Sequence, residues 1–388
     1  MKKRFLFVFF ACAYSQIWAE GIQFFKGTWK EALAFAQKEK KVIFVDAYAV
    51  WCGPCKFMEK KVFSQKEVAD YYNKNFVCYK LDVDVETALA QRFGVEAMPT
   101  LLFVDTQENI LRKKVGMTEA EEFLQLGREV CQIPAMQARY EKGERGKAFM
   151  MEYLKIMQEN KTEQVLKAAK EYFATLQDEE LLEKENFELM TIYTHEVESR
   201  EFRYFYSHKS AFYEKYGENS QAIIINAYQT LYKKAIENQE IDYVKQISSL
   251  VNNAFPIIDK AKAESIVQRT YMDFYKQIKQ YGKYMELARS YVEKYAQFDE
   301  ETLVGVAYDF YTMSDKKEDL ELAEKWTRRA LQAGDSYEVL HFLAEILAKA
   351  GKKAEAIKEC KKAISYAKAN QIEDYSKSEV LLKQLEQR

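Results

Sequence analysis

Proline is scarce in this chain, with four among 388 residues. Pro54, Pro99 and Pro134 lie in the first third, and only Pro256 follows. Proline breaks helix interiors. Its near absence after residue 134, beside few glycines and abundant Lys, Glu, Ala, Leu and Tyr, predicts helix after helix there. Histidine is scarcer still: His195, His208 and His341 all fall in that later part. Charge of one sign is also lacking. A formal net charge of −2, with acids and bases interspersed, carries no nucleic-acid footprint. Beyond the N-terminus no run is apolar enough to cross a membrane. Six cysteines, one of them Cys12, do not make a disulfide-stapled miniprotein. What remains is an ordinary globular composition, 48% hydrophobic and 30% charged, in a chain long enough for roughly two or three domains.

The N-terminus, "MKKRFLFVFFACAYSQIWAEG", has a basic start, an apolar centre and a small-residue exit after Ala19. That pattern predicts a secretory signal over 1–19 and a periplasmic or otherwise extracytoplasmic protein, with no stable membrane span after cleavage. Disulfides persist in such compartments. Two alternatives stay open: an uncleaved anchor, and a lipoprotein cut before Cys12, to which Phe9 and Phe10 are a poor approach.

Along the chain, "FFKGTWKEALAFAQKEK" (24–40) reads as a helix with Thr28 as N-cap. "VIFVDAY" (42–48) reads as a strand covered on both faces. Helices from "CGPCKFMEKKVF" and from Ser64 follow, then a strand at 76–84 and a helix at 85–94 stopped by Gly94. A hairpin spans 100–105 and 110–116 across "TQEN", and "TEAEEFLQLGREV" (118–130) forms a last amphipathic helix. The order β-α-β-α-β-β-α predicts an α/β domain over 20–133, a mixed sheet flanked by helices. Residues 134–260 are expected to be helical without a clear repeat. Residues 261–388 are expected to hold paired helices. In "LHFLAEILAKAGKKAEAIKECKKAI" (340–364), small Ala344, Ala356 and Ala363, apolar Leu343, Leu347 and Ile357, and a turn at Gly351 resemble a tetratricopeptide repeat. Ala323 and Ala330 precede Ala356 and Ala363 by 33 residues, across a preceding unit expected to need a longer inter-helix turn. Stacked helix pairs offer a concave surface for partners. A helical region that only supports the first domain is an equal alternative.

The chemistry concentrates at "VDAYAVWCGPCKFME" (45–59). A helix starting just after a buried strand aims backbone N–H groups and its positive dipole end at its first turn. Cys52 sits there, so its thiolate is stabilised and its pKa should fall below the free-thiol value of about 8.5. Cys55, one turn on, can face it at disulfide distance. Pro54 tolerates a first helical turn, and Gly53 lets a substrate chain come close. The spacing predicts an exposed nucleophile with a resolving thiol behind it. A zinc site would need two further ligands with their own spacing, and no second C-x-x-C exists. A cysteine–histidine nucleophile fails because no histidine lies in this domain. Asp46 sits inside an apolar run, where burial should raise its pKa and let it accept a proton near neutrality. Cys78, Cys131 and Cys360 read as small hydrophobes.

Together these residues resemble the active-site segment of the thioredoxin superfamily, over 25–130. The resemblance implies a thiol:disulfide oxidoreductase needing no cofactor beyond its redox-active dithiol. By that resemblance Cys52 attacks, Cys55 resolves, Asp46 shuttles the Cys55 proton, and Lys80 in "YKLDVD" partners Asp46. Pro99 in "VEAMPT" would be a cis-proline facing the dithiol, and Gly116 the close-approach glycine of the groove. Trp51, Gly53, Pro54, Met98, Pro99 and Gly116 would then contact substrate. Met98 departs from the Ile, Val or Thr usual before that proline. Lys80 could equally be a surface lysine; for Asp46 and Pro99 the bland readings, a solvated strand-end acid and an ordinary trans turn proline, are outweighed by the apolar run and the motif that hold them. The segment is especially similar to exported domains such as the C-terminal domain of the thiol:disulfide interchange reductase. Expected partners are disulfide-containing proteins and a membrane or periplasmic thiol reductant. The alternative is a cell-envelope helical adaptor whose first domain holds a partner by redox-dependent binding.

Overall fold

Alternation along a strand sends successive side chains to opposite faces, and here that alternation separates two different cores. The computed structural model describes residues 21–159, 162–296 and 299–387; the expected signal at 1–19, with Cys12, lies outside them. The elements of the first part are α1 (Trp29–Glu39), β1 (Val42–Tyr48), α2 (Gly53–Phe57), α3 (Lys66–Asn75), β2 (Phe76–Asp82), α4 (Thr87–Arg92), β3 (Thr100–Val104), β4 (Ile110–Val115) and α5 (Ala120–Glu141). The sheet runs β2-β1-β3-β4. β1 pairs in parallel with β2 and antiparallel with β3, which pairs antiparallel with β4. The mixed α/β sheet expected from the sequence is thus the observed one.

One face of β1, Ile43, Val45 and Ala47, packs with Val77, Tyr79, Leu102 and Val104 against Trp29, Ala32 and Ala36 of α1 and Ala90 of α4. The opposite face is aromatic. Phe44 meets Phe63, Tyr72, Phe103 and Phe123 at centroid distances of 5.1–5.9 Å, and Tyr72 stacks on Phe123 at 4.1 Å. Asp46 follows Phe44 on this second face, two residues nearer the end of β1. That placement makes a carboxylate expensive to ionise. Thr28 caps α1 in a reciprocal box, accepting the Glu31 N–H while Glu31 accepts the Thr28 N–H. Asp105 organises the hairpin by accepting the N–H groups of Gln107 and Asn109, each at 2.8 Å.

The boundary expected at 133/134 falls inside α5, which continues through Pro134 to Glu141. An interior proline costs about 3 kcal/mol in a helix. The cost is met because Val130, Ile133, Met136 and Tyr140 share one buried face, and Tyr140 stacks on Tyr153 of α6 (Lys147–Ile156) at 4.9 Å. Arg112 of β4, itself buried, donates to the Ile156 carbonyl at 2.8 Å. With α7 (Glu163–Ala174) these helices belong to the first of two compact units, which divide between Leu181 and Leu182.

The second unit is helical: α8 (Lys184–Tyr193), α9 (Arg200–Ser207), α10 (Lys209–Tyr216), α11 (Gln221–Asn238), α12 (Ile241–Asn252), α13 (Lys260–Gln277), α14 (Tyr281–Tyr295), α15 (Glu300–Met313), α16 (Lys317–Ala330), α17 (Tyr337–Lys349), α18 (Lys353–Ala369) and α19 (Ser376–Gln387). Ala323, Ala330, Ala344, Ala356 and Ala363 are all buried, as small residues must be where helices approach closely. The 33-residue alanine register, however, is not the structural period. Turns at 278–280, 314–316 and 350–352 recur every 36 residues. A shift of three residues is one helical turn, which leaves alanines on the same face, so the sequence pattern could not tell the two periods apart. The turn expected to be longer, at 314–316, equals its successor in length. Among the described residues no helix is long and apolar enough to cross a membrane.

Candidate active site

The chain leaves β1 at Tyr48 and turns so that the Cys52 N–H reaches the Ala49 carbonyl at 3.1 Å. Cys52 then caps α2: its Sγ accepts the Cys55 N–H at 3.1 Å. The two cysteines form a disulfide, with Cα atoms 5.3 Å apart. Past Phe57 the helix continues as a π-helical stretch, Met58–Phe63.

The expectation of an exposed Cys52 is corrected here. Cys52 is 3% exposed and Cys55 6%, in a cluster with Ala49 against which Tyr48, Val83 and Met98 pack. Val83 after β2 and Met98 before Pro99 come from distant segments to pack on the pair, a long-range event that local spacing does not encode. Trp51, by contrast, is 64% exposed, with its Nε1 donating to Asp84 Oδ2 at 2.9 Å. Open space surrounds Gly53, where no atom lies within 4 Å of an added Cβ, and Pro54 sits in the first turn of α2. The peptide bond between Met98 and Pro99 is cis. Gly116, at φ +88°, donates its N–H to the Pro99 carbonyl at 2.8 Å. The positive φ there favours glycine. Met98 touches the dithiol cluster itself.

Asp46 is 2% exposed. Burial pushes its pKa up to about 7; the Lys80 charge opposes the rise and the Glu59 charge adds to it. Its Oδ1 has no hydrogen-bond partner. A cavity of about 190 Å3 is lined by Asp46, Cys55, Lys56, Glu59 and Lys80, so the carboxyl and the second cysteine face one space. Lys80 stands directly across from Asp46 in the β1–β2 register. Its direct ion pair, at 2.9 Å, is nevertheless with Glu59, and its ammonium lies 4.7 Å from the Tyr48 ring centroid. Glu59 was not picked out from sequence. The available signal was its place one helical turn beyond Cys55. Asp84 was missed as well, because nothing local to "DVD" points at Trp51. Of the other cysteines, Cys78 and Cys360 are buried and Cys131 half-buried. Desolvation raises all three thiols. Among the described residues no group of three His, Cys, Asp or Glu is placed to hold a metal.

Residues 22–128 match the thioredoxin family model. Thioredoxin H5 of Arabidopsis thaliana is 42% identical over 93 residues, which span 24% of this chain and 75% of that protein. The chain belongs to the thioredoxin family. Thioredoxin-1 of Drosophila melanogaster is 44% identical over 66 residues, 17% of this chain and 59% of that one. Among solved structures, a putative disulphide-isomerase from Bacteroides thetaiotaomicron shares 41% identity over 29% of this chain and 96% of its own, with a TM-score of 0.27. The oxidised C-terminal domain of Neisseria meningitidis DsbD shares 25% identity over 28% and 98%, with a TM-score of 0.25. The thioredoxin-family domain, with its disulfide-forming cysteine pair, is a thiol–disulfide oxidoreductase, followed by a predominantly helical region.

In this thioredoxin-family site Glu59 has two effects on Asp46: its charge raises the carboxyl directly, and it engages Lys80. Glu59→Gln should therefore move the Asp46 midpoint down from about 7, by roughly half to one pH unit. Carboxyl-carbon NMR titration of the oxidised protein reads this, and an unmoved midpoint contradicts the coupling.

Proposed function

We propose that the protein is an exported thiol–disulfide reductase that acts through Cys52 and Cys55, with its helical region recruiting substrates. The observation that carries this reading is the Cys52–Cys55 disulfide sharing a cavity with a buried Asp46 poised near neutrality. In the reduced protein, Cys52 thiolate, stabilised by the Cys55 N–H, attacks a substrate disulfide. One substrate thiolate leaves and a mixed disulfide forms. Asp46 carboxylate accepts the Cys55 proton, and the resulting thiolate attacks Cys52 Sγ. The second substrate thiolate leaves, and the protein is oxidised by two electrons. A thiol reductant of the membrane or periplasm restores the dithiol.

Lys80 tunes Asp46 by charge. Trp51, Gly53, Pro54, Met98, Pro99 and Gly116 form the surface that receives the substrate, a reading supported by Met98 packing on the cysteine cluster and by the Gly116 N–H donating to the Pro99 carbonyl. The reducing direction is supported by the Gly-Pro dipeptide, which thioredoxin carries at about −270 mV. Export is supported by the leader pattern at 1–19. Recruitment is supported by the 36-residue helix-pair period, an array suited to a concave, tetratricopeptide-like surface.

The test uses the full mature chain carrying Cys55→Ala, which stops the reaction at the mixed disulfide. Expressed with its leader, it should trap several cysteine-bearing envelope proteins that dithiothreitol releases. Capture of a single partner would support a dedicated adaptor instead, and capture of cytoplasmic proteins alone would remove export.

A further inference from the structure

Lys80 stays at the Asp46 cavity only if contacts hold it there, because a lysine chain is flexible and its ammonium strongly hydrated. Its ion pair with Glu59 is a weak tether. The Glu59 side chain is 58% exposed, and solvent screens such pairs. Two rings add to the holding. The Lys80 ammonium lies over the Tyr48 ring at 4.7 Å from its centroid and over Phe24 at 5.4 Å. Both are within cation–π reach, about 6 Å. Phe24 belongs to the aromatic core, beside Phe44 and Phe63. Tyr48 is placed differently. It ends β1 two residues after Asp46, which puts both side chains on one face of the sheet. It lines the same cavity as Asp46, Cys55 and Lys80, and it packs on the Cys52–Cys55 cluster. One ring thus touches the dithiol cluster and carries the ammonium. Burial pushes the Tyr48 phenol up and the Asp82 charge adds to the rise, so the ring stays neutral while Asp46 titrates.

We propose that Tyr48 is a positioning residue: its ring, packed on the cysteine cluster, holds the Lys80 ammonium at the cavity and so tunes the acid that takes the Cys55 proton. The inference rests on the reading of Asp46 as that acceptor and adds the residue that sets it. The charges facing Asp46 come from two elements. Lys80 projects from β2, and Lys56 and Glu59 from the helix that carries Cys55 and its π-helical continuation. Across the β1–β3 pairing Asp46 meets Leu101, which has no charge. Lys80 draws the carboxyl down and Glu59 pushes it up. Without the ring the ammonium moves towards water, where its effect on Asp46 is screened. The attraction comes from the ring quadrupole and not from the hydroxyl. Phenylalanine therefore suffices at this position, and an aliphatic residue does not. In the resolving step the Cys55 thiol gives its proton to Asp46 and an electron pair to Cys52 Sγ, and the substrate thiolate leaves. No co-reactant is consumed.

The experiment titrates Asp46 by carboxyl-carbon NMR in the oxidised full mature chain and in variants of it. Lys80→Met should raise the midpoint above the native value of about 7, by about one pH unit. Tyr48→Leu should reproduce at least about half of that rise, and Tyr48→Phe should stay within about 0.2 unit of the native midpoint. Tyr48→Met, which keeps bulk without a ring, is read beside Tyr48→Leu and should behave alike. In Tyr48→Leu/Lys80→Met the midpoint should match Lys80→Met alone, because the ring acts through the ammonium. A Tyr48→Leu midpoint that is unmoved, or lowered by water entering the cavity, overturns the proposal. So does a Tyr48→Leu shift that survives in full without Lys80, or a Tyr48→Phe midpoint that follows Tyr48→Leu. The pre-reduced chain is then mixed with a saturating small peptide disulfide, so that resolution limits the rate followed by tryptophan fluorescence. In Tyr48→Leu the acid limb of its pH profile should move up with the midpoint, about threefold slower at a given acidic pH. A midpoint that moves while the limb stays put leaves the tuning by Tyr48 standing and removes Asp46 as acceptor of the Cys55 proton.

Discussion

Cys52→Ser should reduce insulin disulfides no faster than solvent-borne reductant alone, whereas Cys55→Ser should keep its first attack and accumulate mixed disulfide. The asymmetry is built into the geometry. The Cys55 N–H points at Cys52 Sγ from 3.1 Å, so negative charge is stabilised on that sulfur and not on its partner. A serine hydroxyl in the same place stays protonated at neutral pH and is a poor nucleophile. Cys55 instead opens onto the Asp46 cavity, where it can lose its proton only once it is needed. Iodoacetamide labelling of the reduced protein below pH 8 should therefore mark Cys52 first, with an apparent pKa below about 8.5. Labelling of Cys55 first, or equal residual activity in the two variants, would reverse the roles.

Asp46→Asn should stabilise the oxidised protein at pH 8 and slow its catalysis. In the native state the carboxyl titrates near 7, against 3.8 unperturbed. Between those values the native state binds more protons than the unfolded chain, so stability declines as pH rises through the window and stays lost above it. At 1.36 kcal/mol per pH unit the decline amounts to about 4 kcal/mol. Asparagine cannot ionise and has no such slope. Relative to wild type, the variant should thus gain about 4 kcal/mol between pH 4 and pH 8. Urea unfolding of the oxidised chain at several pH values measures the difference. A parallel pH dependence of the two proteins would show that Asp46 ionises freely. Catalysis moves the other way: loss of a general base costs on the order of 100-fold, here confined to the step in which Cys55 attacks. Stability and activity are opposed at this residue because the desolvation that makes Asp46 a base near pH 7 is also what its ionised form costs the fold.

The domain's local grammar was open to reading. Thr28 and Glu31 cap α1 through side chains three residues apart. The strand at 42–48 is apolar because both of its faces are covered, and the C-x-x-C spacing puts two sulfurs on one turn of helix. Each of these depends on residues within a few positions of one another. The 133/134 boundary cuts through a helix for the complementary reason. Proline's usual meaning is local, whereas α5 persists through Pro134 because distant partners such as Tyr153 bury its face.

By itself, the order of residues determined the alternation of elements, the disulfide-competent pair and the presence of an acid inside a buried strand. Only the tertiary structure decided how deeply both sulfurs lie, that Lys80 pairs with Glu59 while it acts on Asp46 by charge, and that Asp84 accepts from the Trp51 indole. The physical reason is range. Backbone geometry and spacing operate over one or two turns of chain, while desolvation and charge depend on whatever is brought alongside, however far away it lies in sequence.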